Sequence, residues 1–216
     1  TVGHFKDDKV GMVQSRWGHL NEDYSLFTRL QAFALDAHFM VEQMGRNAQK
    51  AFINFNGTGG IWRKSCILDA GDWHADTLTE DLDLSYRAQQ KGWDFIYRPD
   101  VVSPAELPPV MSAIKSQQFR WTKGGAECAR KHLGHVLKGS FPLKVKIHAT
   151  AHLLNSTLFI AILLVSLSSI PVWWGFYQGL VPLEYFKLAA FFLFGFVIIA
   201  SVYFFANLNL SHFTFK

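Results

Sequence analysis

Thr79-Glu80-Asp81-Leu82-Asp83-Leu84-Ser85-Tyr86-Arg87-Ala88-Gln89-Gln90-Lys91-Gly92, followed at once by Trp93-Asp94-Phe95-Ile96-Tyr97, decides the fold. Acids crowd the start of the first stretch and a glycine sits just past its end. Thr77-Leu78-Thr79-Glu80 fits a capping box, so the pattern predicts a helix over Glu80–Lys91 with Thr77 or Thr79 as N-cap. The residues after Gly92 predict a strand over Asp94–Tyr97, closed by Pro99. Working outward, Lys9–Ser15 and Ala51–Phe55 read as further strands. Leu26, Leu30, Phe33, Ala37, Met40 and Met44 recur at helical spacing and predict a long helix over Asp23–Met44, stopped by Gly45. Ile61–Ala70 reads as a short helix. Beyond the loop marked by Pro104, Pro108 and Pro109, Val110–Lys131 reads as another. Strands alternating with helices make an α/β layer, of which this chain carries the later half.

Composition changes sharply along the 216 residues. Up to about Lys146 charged, aromatic and aliphatic residues mix as in a soluble domain; beyond it charge almost vanishes. Leu153–Trp174 and Leu188–Phe205 are long enough to cross a bilayer, at about 20 residues a span. The short loop Gly175–Glu184 makes them an antiparallel hairpin, and Trp173, Trp174 and Tyr177 suit a headgroup belt. The expected organisation is an α/β part over residues 1–132, an amphipathic interfacial connector over 133–150, and two transmembrane helices over 151–216. Lys123, Arg130, Lys131, Lys138, Lys144 and Lys146 gather just before the first apolar run, which places the α/β part on the cytoplasmic side of the cell (inner) membrane. The net charge of +4 needs no nucleic-acid partner, and no RNP, zinc-finger or helix-turn-helix pattern is present. Cys66 and Cys128 lack metal or disulfide spacing and read as reduced thiols. Thr1 runs straight into a strand and the last apolar run stops at Lys216, so the chain reads as an internal piece of a longer protein.

Asp81 falls at the second or third position of its helix, where the dipole favours an ionised carboxylate with a lowered pKa, able to accept a proton. Asp83 reads as an ordinary first-turn acid. Gln117, Arg120 and Trp121 are three and four positions apart and share a helix face. Such an amide, guanidinium and indole can bind a diphosphate and stack on a sugar ring. The glycines of Asn56-Gly57-Thr58-Gly59-Gly60 allow a ligand close to the backbone. Lys123 reads as a surface charge. Arg16 and Trp17 belong either to a donor cleft or to the core. His38 reads as a satisfied core histidine. His148 and His152 lack a carboxylate or thiol to complete a metal site and read as interfacial. Glu106 either caps a loop or touches substrate.

Phe55-Asn56-Gly57-Thr58, Thr79-Glu80-Asp81 and Gln117-Gln118-Phe119-Arg120-Trp121, in this order, resemble the processive family 2 glycosyltransferases, in the cellulose-synthase-like branch of β-mannan and β-glucan synthases. Val13-Gln14-Ser15-Arg16-Trp17, the Phe33–Gln43 helix, Gly92-Trp93 and Ala105-Glu106-Leu107-Pro108 are similar to that branch too, so the likeness runs from Val10 to Arg130. The resemblance implies the later half of a GT-A-type domain followed by an α-helical transmembrane hairpin. It implies an inverting hexosyltransferase moving sugar from a UDP- or GDP-hexose to a growing β-linked polysaccharide at a lipid bilayer. By that pattern Asp81 matches the catalytic base. Gln117, Arg120 and Trp121 match the block that holds donor diphosphate and acceptor, with Glu80 orienting the acceptor. Phe55, Asn56, Gly57 and Thr58 match the acceptor-side turn. The divalent cation, Mg or Mn, is expected mainly on residues upstream, with no metal ligands in this piece, which alone is expected to be inactive. A non-processive transferase acting on a lipid, or a catalytically silent polysaccharide-export subunit, are the rival readings.

Overall fold

The computed structural model describes residues 1–191 and 193–213. A 3₁₀ turn over Val2–Lys6 leads into β1 (Val10–His19), the middle strand of a three-stranded sheet. β1 is buried from Val10 to Arg16, as a strand covered on both faces must be. The next helix begins at Leu26, not Asp23, because Ser25 and Thr28 form a reciprocal capping box there. α1 (Leu26–Ala37) widens into a π-helical turn at His38–Gln43 and continues as α2 (Met44–Ala48). Gly45 therefore lies inside the helix, and the chain turns at Lys50, whose φ is 52°.

Ala51–Phe55 is buried and extended but pairs with no strand among the described residues. Side chains take the place of a ladder. Gln89 Oε1 accepts from Ile53 N at 3.0 Å while its Nε2 donates to Ile53 O at 2.7 Å. Ser85 Oγ accepts from Phe55 N at 2.9 Å, and Gln43 Nε2 donates to Asn54 O at 2.7 Å. The expected strand is thus a strap tied down by polar side chains.

β2 (Gly60–Trp62) runs antiparallel to β1, with Met12 opposite Trp62, and precedes α3 (Lys64–Asp69), so the expected Ile61–Ala70 helix is helical only from Lys64 to Asp69. α4 (Glu80–Gln90) follows, ended by Gly92 at φ 91°. β3 (Asp94–Ala105) runs parallel to β1 and does not stop at Pro99. The register jumps from Ser15 opposite Arg98 to Arg16 opposite Val102, so the proline, which has no N–H to give, is carried in a bulge. The core over this sheet includes Met12, Phe39, Ile53, Leu84, Phe95 and Tyr97. Cys66 and Cys128 are free and buried.

α5 (Met111–Lys138) outruns the expected helix by two turns, and α6 (Leu143–Leu153) folds back on it. Val145, Ala149 and Leu153 of α6 pack with Tyr86, Phe52 and Val136. A 3₁₀ turn at Leu154–Thr157 then leads into α7 (Leu158–Tyr177), and a turn precedes α8 (Leu183–Phe191) and α9 (Leu193–Phe213). α7 begins at Leu158, after α6, which is held against the α/β part. By length and composition, two helical stretches suffice to cross a membrane, Leu143–Tyr177 and Leu183–Leu208. Most of the described large side chains of α7 and α9 face outward, with Trp173, Trp174 and Tyr177 exposed near one end of α7. α9 also touches α1: Tyr203 meets Phe33 at 5.9 Å, and Ala206 is buried beside Ala37 and Met40.

Candidate active site

Asp81 lies in the first turn of α4. Its Oδ1 accepts from Leu82 N at 2.8 Å, and its own carbonyl accepts from Ser85 Oγ at 2.6 Å. Neither Thr77 nor Thr79 caps the helix: Thr79 precedes it without a side-chain cap bond and sits with Oγ1 at 3.5 Å from Cys128 Sγ of α5. The lowered pKa expected for Asp81 is overturned. Burial pushes it up to about 6, the Leu82 N–H opposes this, and the neighbouring Glu80 charge adds to the rise. Desolvation outweighs the helix terminus, and the result is a carboxylate of enhanced basicity that is still ionised at neutral pH.

α5 reaches Asp81 because it carries glycines in mid-helix. A Cβ at Gly124 would lie 2.6 Å from the Thr79 side chain and 2.8 Å from Thr79 N, and one at Gly125 would lie 2.9 Å from Ser156 Oγ. These contacts let α5 touch the entry of α4 backbone to backbone and the turn after α6. Glu127 Oε2 then accepts from Leu78 N at 2.9 Å. One turn before Gly124 stands Trp121, which the approach swings over the start of α4. Asp81, Thr79 and Trp121 line one cavity of about 200 Å³, together with Trp17, His38 and Asn56.

The loop after the strap closes the site. Gly57 has φ 73°, and a Cβ there would come 3.4 Å from Asp81 Oδ2. Gln14 fixes this turn by accepting from Asn56 N at 3.1 Å and donating to Thr58 O at 3.0 Å; Trp17 Nε1 donates to Thr58 O at 3.3 Å. Phe55 points the other way, into the core, with its ring 5.6 Å from Trp62. Trp17 packs its ring 5.6 Å from Phe39, as the core reading expects, and also lines the cavity. Arg16 is buried beside Asp36.

Among the expected residues the structure therefore groups Asp81, Asn56 and Trp121 on the cavity, with Gly57 beside Asp81. Thr58 is exposed and offers its carbonyl inward. Gln117, Arg120 and Glu80 are not on the lining. Arg120 is exposed and has no hydrogen bond or ion pair among the described residues. His38, Asn54 and His152 line the cavity without having been singled out for it. His38 Nδ1 donates to Glu42 Oε2 at 2.9 Å, and its Nε2 lies 3.4 Å from Asn56 Nδ2. Burial works against the Glu42 carboxylate, yet His38 and Arg46 hold it below its ordinary range. His152 pairs with Tyr86 OH at 2.9 Å and His148 with Gln49 Oε1 at 3.1 Å, so both contact the α/β part.

Asp83 is no ordinary first-turn acid. It is fully buried, and burial alone would raise its pKa, but His132, Lys131 and Arg87 donors at 2.8 Å hold it far below the carboxylate range. His74, Asp76 and Asp83 come within 4.8 Å of one another and so present a possible metal-ligand group. They do not fit one: Lys131 Nζ stands 2.9 Å from Asp76 Oδ2 and 2.8 Å from Asp83 Oδ1, filling the place of a cation, and Arg87 covers the other Asp83 oxygen.

Residues 1–206 match the family described as glycosyl transferase family group 2. The chain belongs to that family. It is 43% identical over 152 residues to probable glucomannan 4-beta-mannosyltransferase 4 of Oryza sativa subsp. japonica, covering 70% of this chain and 27% of that protein. To glucomannan 4-beta-mannosyltransferase 1 of the same plant it is 42% identical over 145 residues, 67% of this chain and 27% of the relative. To glucomannan 4-beta-mannosyltransferase 7 of Arabidopsis thaliana it is 34% identical over 184 residues, 78% of this chain and 33% of the relative. The chain thus spans between a quarter and a third of the length of these curated relatives.

Proposed function

We propose that the chain supplies the base, the acceptor platform and a membrane anchor of an inverting hexosyltransferase that lengthens a β-linked polysaccharide. The observation carrying this reading is the presence of the Asp81 carboxylate and the Trp121 indole on one cavity, with the Gly57 turn against the carboxylate. A terminal sugar there has its ring against Trp121 and a hydroxyl on Asp81. Asp81 takes the hydroxyl proton as that oxygen attacks the anomeric carbon of an α-linked donor. The bond from that carbon to the diphosphate oxygen breaks, and displacement from the opposite side leaves a β linkage. Arg120, with no hydrogen bond or ion pair among the described residues, neutralises the departing diphosphate, with Gln117 beside it on the helix. Glu80 and the Asn56–Thr58 turn orient the acceptor.

The names of the relatives support a mannosyl unit and a 4-linked product; the donor in this reading is a GDP- or UDP-hexose. The family's divalent cation, Mg or Mn, is assigned to ligands other than the His74 group. The lysines and arginines ahead of α7 support a cytoplasmic catalytic part at the cell's inner membrane, with residues 133–150 at the headgroup level. α7 and α9 then form part of the path by which a hydrophilic polymer leaves through the hydrocarbon. The test is transfer by the full-length protein in lipid vesicles, wild type against Asp81→Asn. Loss of transfer is expected; undiminished transfer removes Asp81 from the chemistry. Product length in the same assay separates a polymer from a single sugar added to a lipid.

A further inference from the structure

We propose that His38 and Gln43 are positioning residues for sugar transfer: by gripping both ends of the Asn56 amide they hold the glycine turn against Asp81. The proposal rests on the sugar-transfer reading. Asn56 immediately precedes Gly57, where a Cβ would come 3.4 Å from Asp81 Oδ2. Asn56 Oδ1 accepts from Gln43 Nε2 at 3.1 Å, and its Nδ2 faces His38 Nε2 at 3.4 Å. On a regular α-helix His38 and Gln43 would point about 140° apart. The π-helical turn over His38–Gln43, whose hydrogen bonds run from i to i+5, brings the two round to one side. The widening of the helix is thereby explained: it lets both residues reach the same amide.

The direction of each bond follows from the ends of the group. Arg46 can only donate, and its Nη2 does so to Gln43 Oε1 at 3.0 Å. Gln43 Nε2 is therefore the donor end, and it also donates to Asn54 O at 2.7 Å. Asn56 must then turn its oxygen to Gln43 and its NH₂ to His38, which obliges His38 Nε2 to accept. The imidazole proton is left on Nδ1, where it is given to Glu42 Oε2 at 2.9 Å. The bonds run in one sense from guanidinium to carboxylate, and Asn56 is the member that lies outside this helical segment. Gln43 is fully buried and Arg46 is only 6% exposed, so one end of the grip is anchored in the interior. Ala37 and Met40 of the same segment pack with Ala206 of α9, which braces it from the membrane side.

The experiment uses the full-length protein in lipid vesicles with a nucleotide-hexose donor and a β-linked manno-oligosaccharide acceptor. Gln43 and Arg46, being buried, stay in place. His38→Ala, His38→Gln, Asn56→Ala and the double variant His38→Ala/Asn56→Ala are compared with wild type, and circular dichroism and donor KM report intact folding. His38→Ala is expected to lower kcat about tenfold at unchanged donor KM. Glutamine puts an amide oxygen in the place of Nε2, so His38→Gln should stay within about threefold of wild type. Because His38 acts through Asn56, the double variant should be no slower than Asn56→Ala by itself. Wild-type kcat in His38→Ala, a His38→Gln as slow as His38→Ala, or losses that multiply in the double variant overturn the proposal and leave the transferase reading standing. Nitrogen NMR of the same protein with isotope-labelled histidines reads the bond directions without turnover. The His38 signal, identified by its absence from His38→Gln, should show a protonated Nδ1 and a bare Nε2 at about pH 8; a protonated Nε2 overturns the proposal. Where wild type transfers to no acceptor, the transferase reading fails by itself, and this spectrum decides the grip.

Discussion

Asp81 is placed so that its role can be read from the pH at which activity appears. Burial moves its pKa from an ordinary 3.8 to about 6. A base with that pKa is about 90% ionised at pH 7 and about 10% at pH 5, so kcat/KM, which reports the free enzyme's base, should fall roughly tenfold between them. Had the helix terminus won, the limb would lie below pH 4 and the profile would be flat over this range. The same shift fixes the sign of a stability effect. A carboxyl whose folded pKa is raised holds its proton more tightly when folded, so the fold is favoured below the unfolded pKa and loses that advantage as pH rises towards 6. At ~1.4 kcal/mol per pH unit the ceiling is about 3 kcal/mol. The carboxyl is only partly buried, so screening brings the expectation to roughly 1–2 kcal/mol. Asp81→Asn keeps an oxygen for Leu82 N and removes the charge. The variant should lose transfer while unfolding at a higher temperature than wild type at pH 7, with the two converging below pH 4. Full-length protein in lipid nanodiscs, assayed for hexose transfer and followed by tryptophan fluorescence on heating, gives both readings. A variant that is less stable at pH 7, or a wild-type limb near pH 4, refutes the reasoning.

The remaining predictions concern what brings the parts together. Gly124→Ala places a methyl 2.6 Å from the Thr79 side chain, so α5 must back away from α4, with an expected loss of about 1–3 kcal/mol and of most transfer; thermal melting and turnover check both. Asp83→Ala leaves Arg87 and Lys131 facing a vacancy and should destabilise by about 3–5 kcal/mol in denaturant titration, with transfer lost only as the fold is lost. Because Asp83 is held below its ordinary range, its contribution is present above about pH 4 and fades in stronger acid, the opposite sense to Asp81. Trp121→Ala should raise acceptor KM by about fivefold, consistent with the loss of ~1 kcal/mol of ring stacking, and leave circular dichroism unchanged.

The geometry of the candidate site was legible where residue type and spacing act locally. The Asp81 helix, the glycine turn and the block ending in Trp121 could be placed from order and periodicity, and all three meet on the cavity, the turn through Asn56, while Gly57 abuts Asp81. What escaped depends on partners distant in sequence. Ala51–Phe55 has the composition of a strand, but its hydrogen bonds go to Gln89, Ser85 and Gln43, which no local pattern announces. β3 passes Pro99 because Arg16 can skip to Val102, a tertiary accommodation. His38 and His152 gained their places from the π-helical turn and from the folding back of α6. One signal was available and unread: Gly124-Gly125 inside an otherwise regular helix marks a close backbone approach. The pKa of Asp81 was misjudged because the helix terminus is visible in sequence and burial is not.

The most direct test of the account is a structure of the full-length protein in lipid with a short β-linked oligosaccharide acceptor bound. The account places the terminal ring against Trp121, with a hydroxyl oxygen about 3 Å from the Asp81 carboxylate. A terminal ring seated elsewhere, touching neither Asp81 nor Trp121, contradicts it.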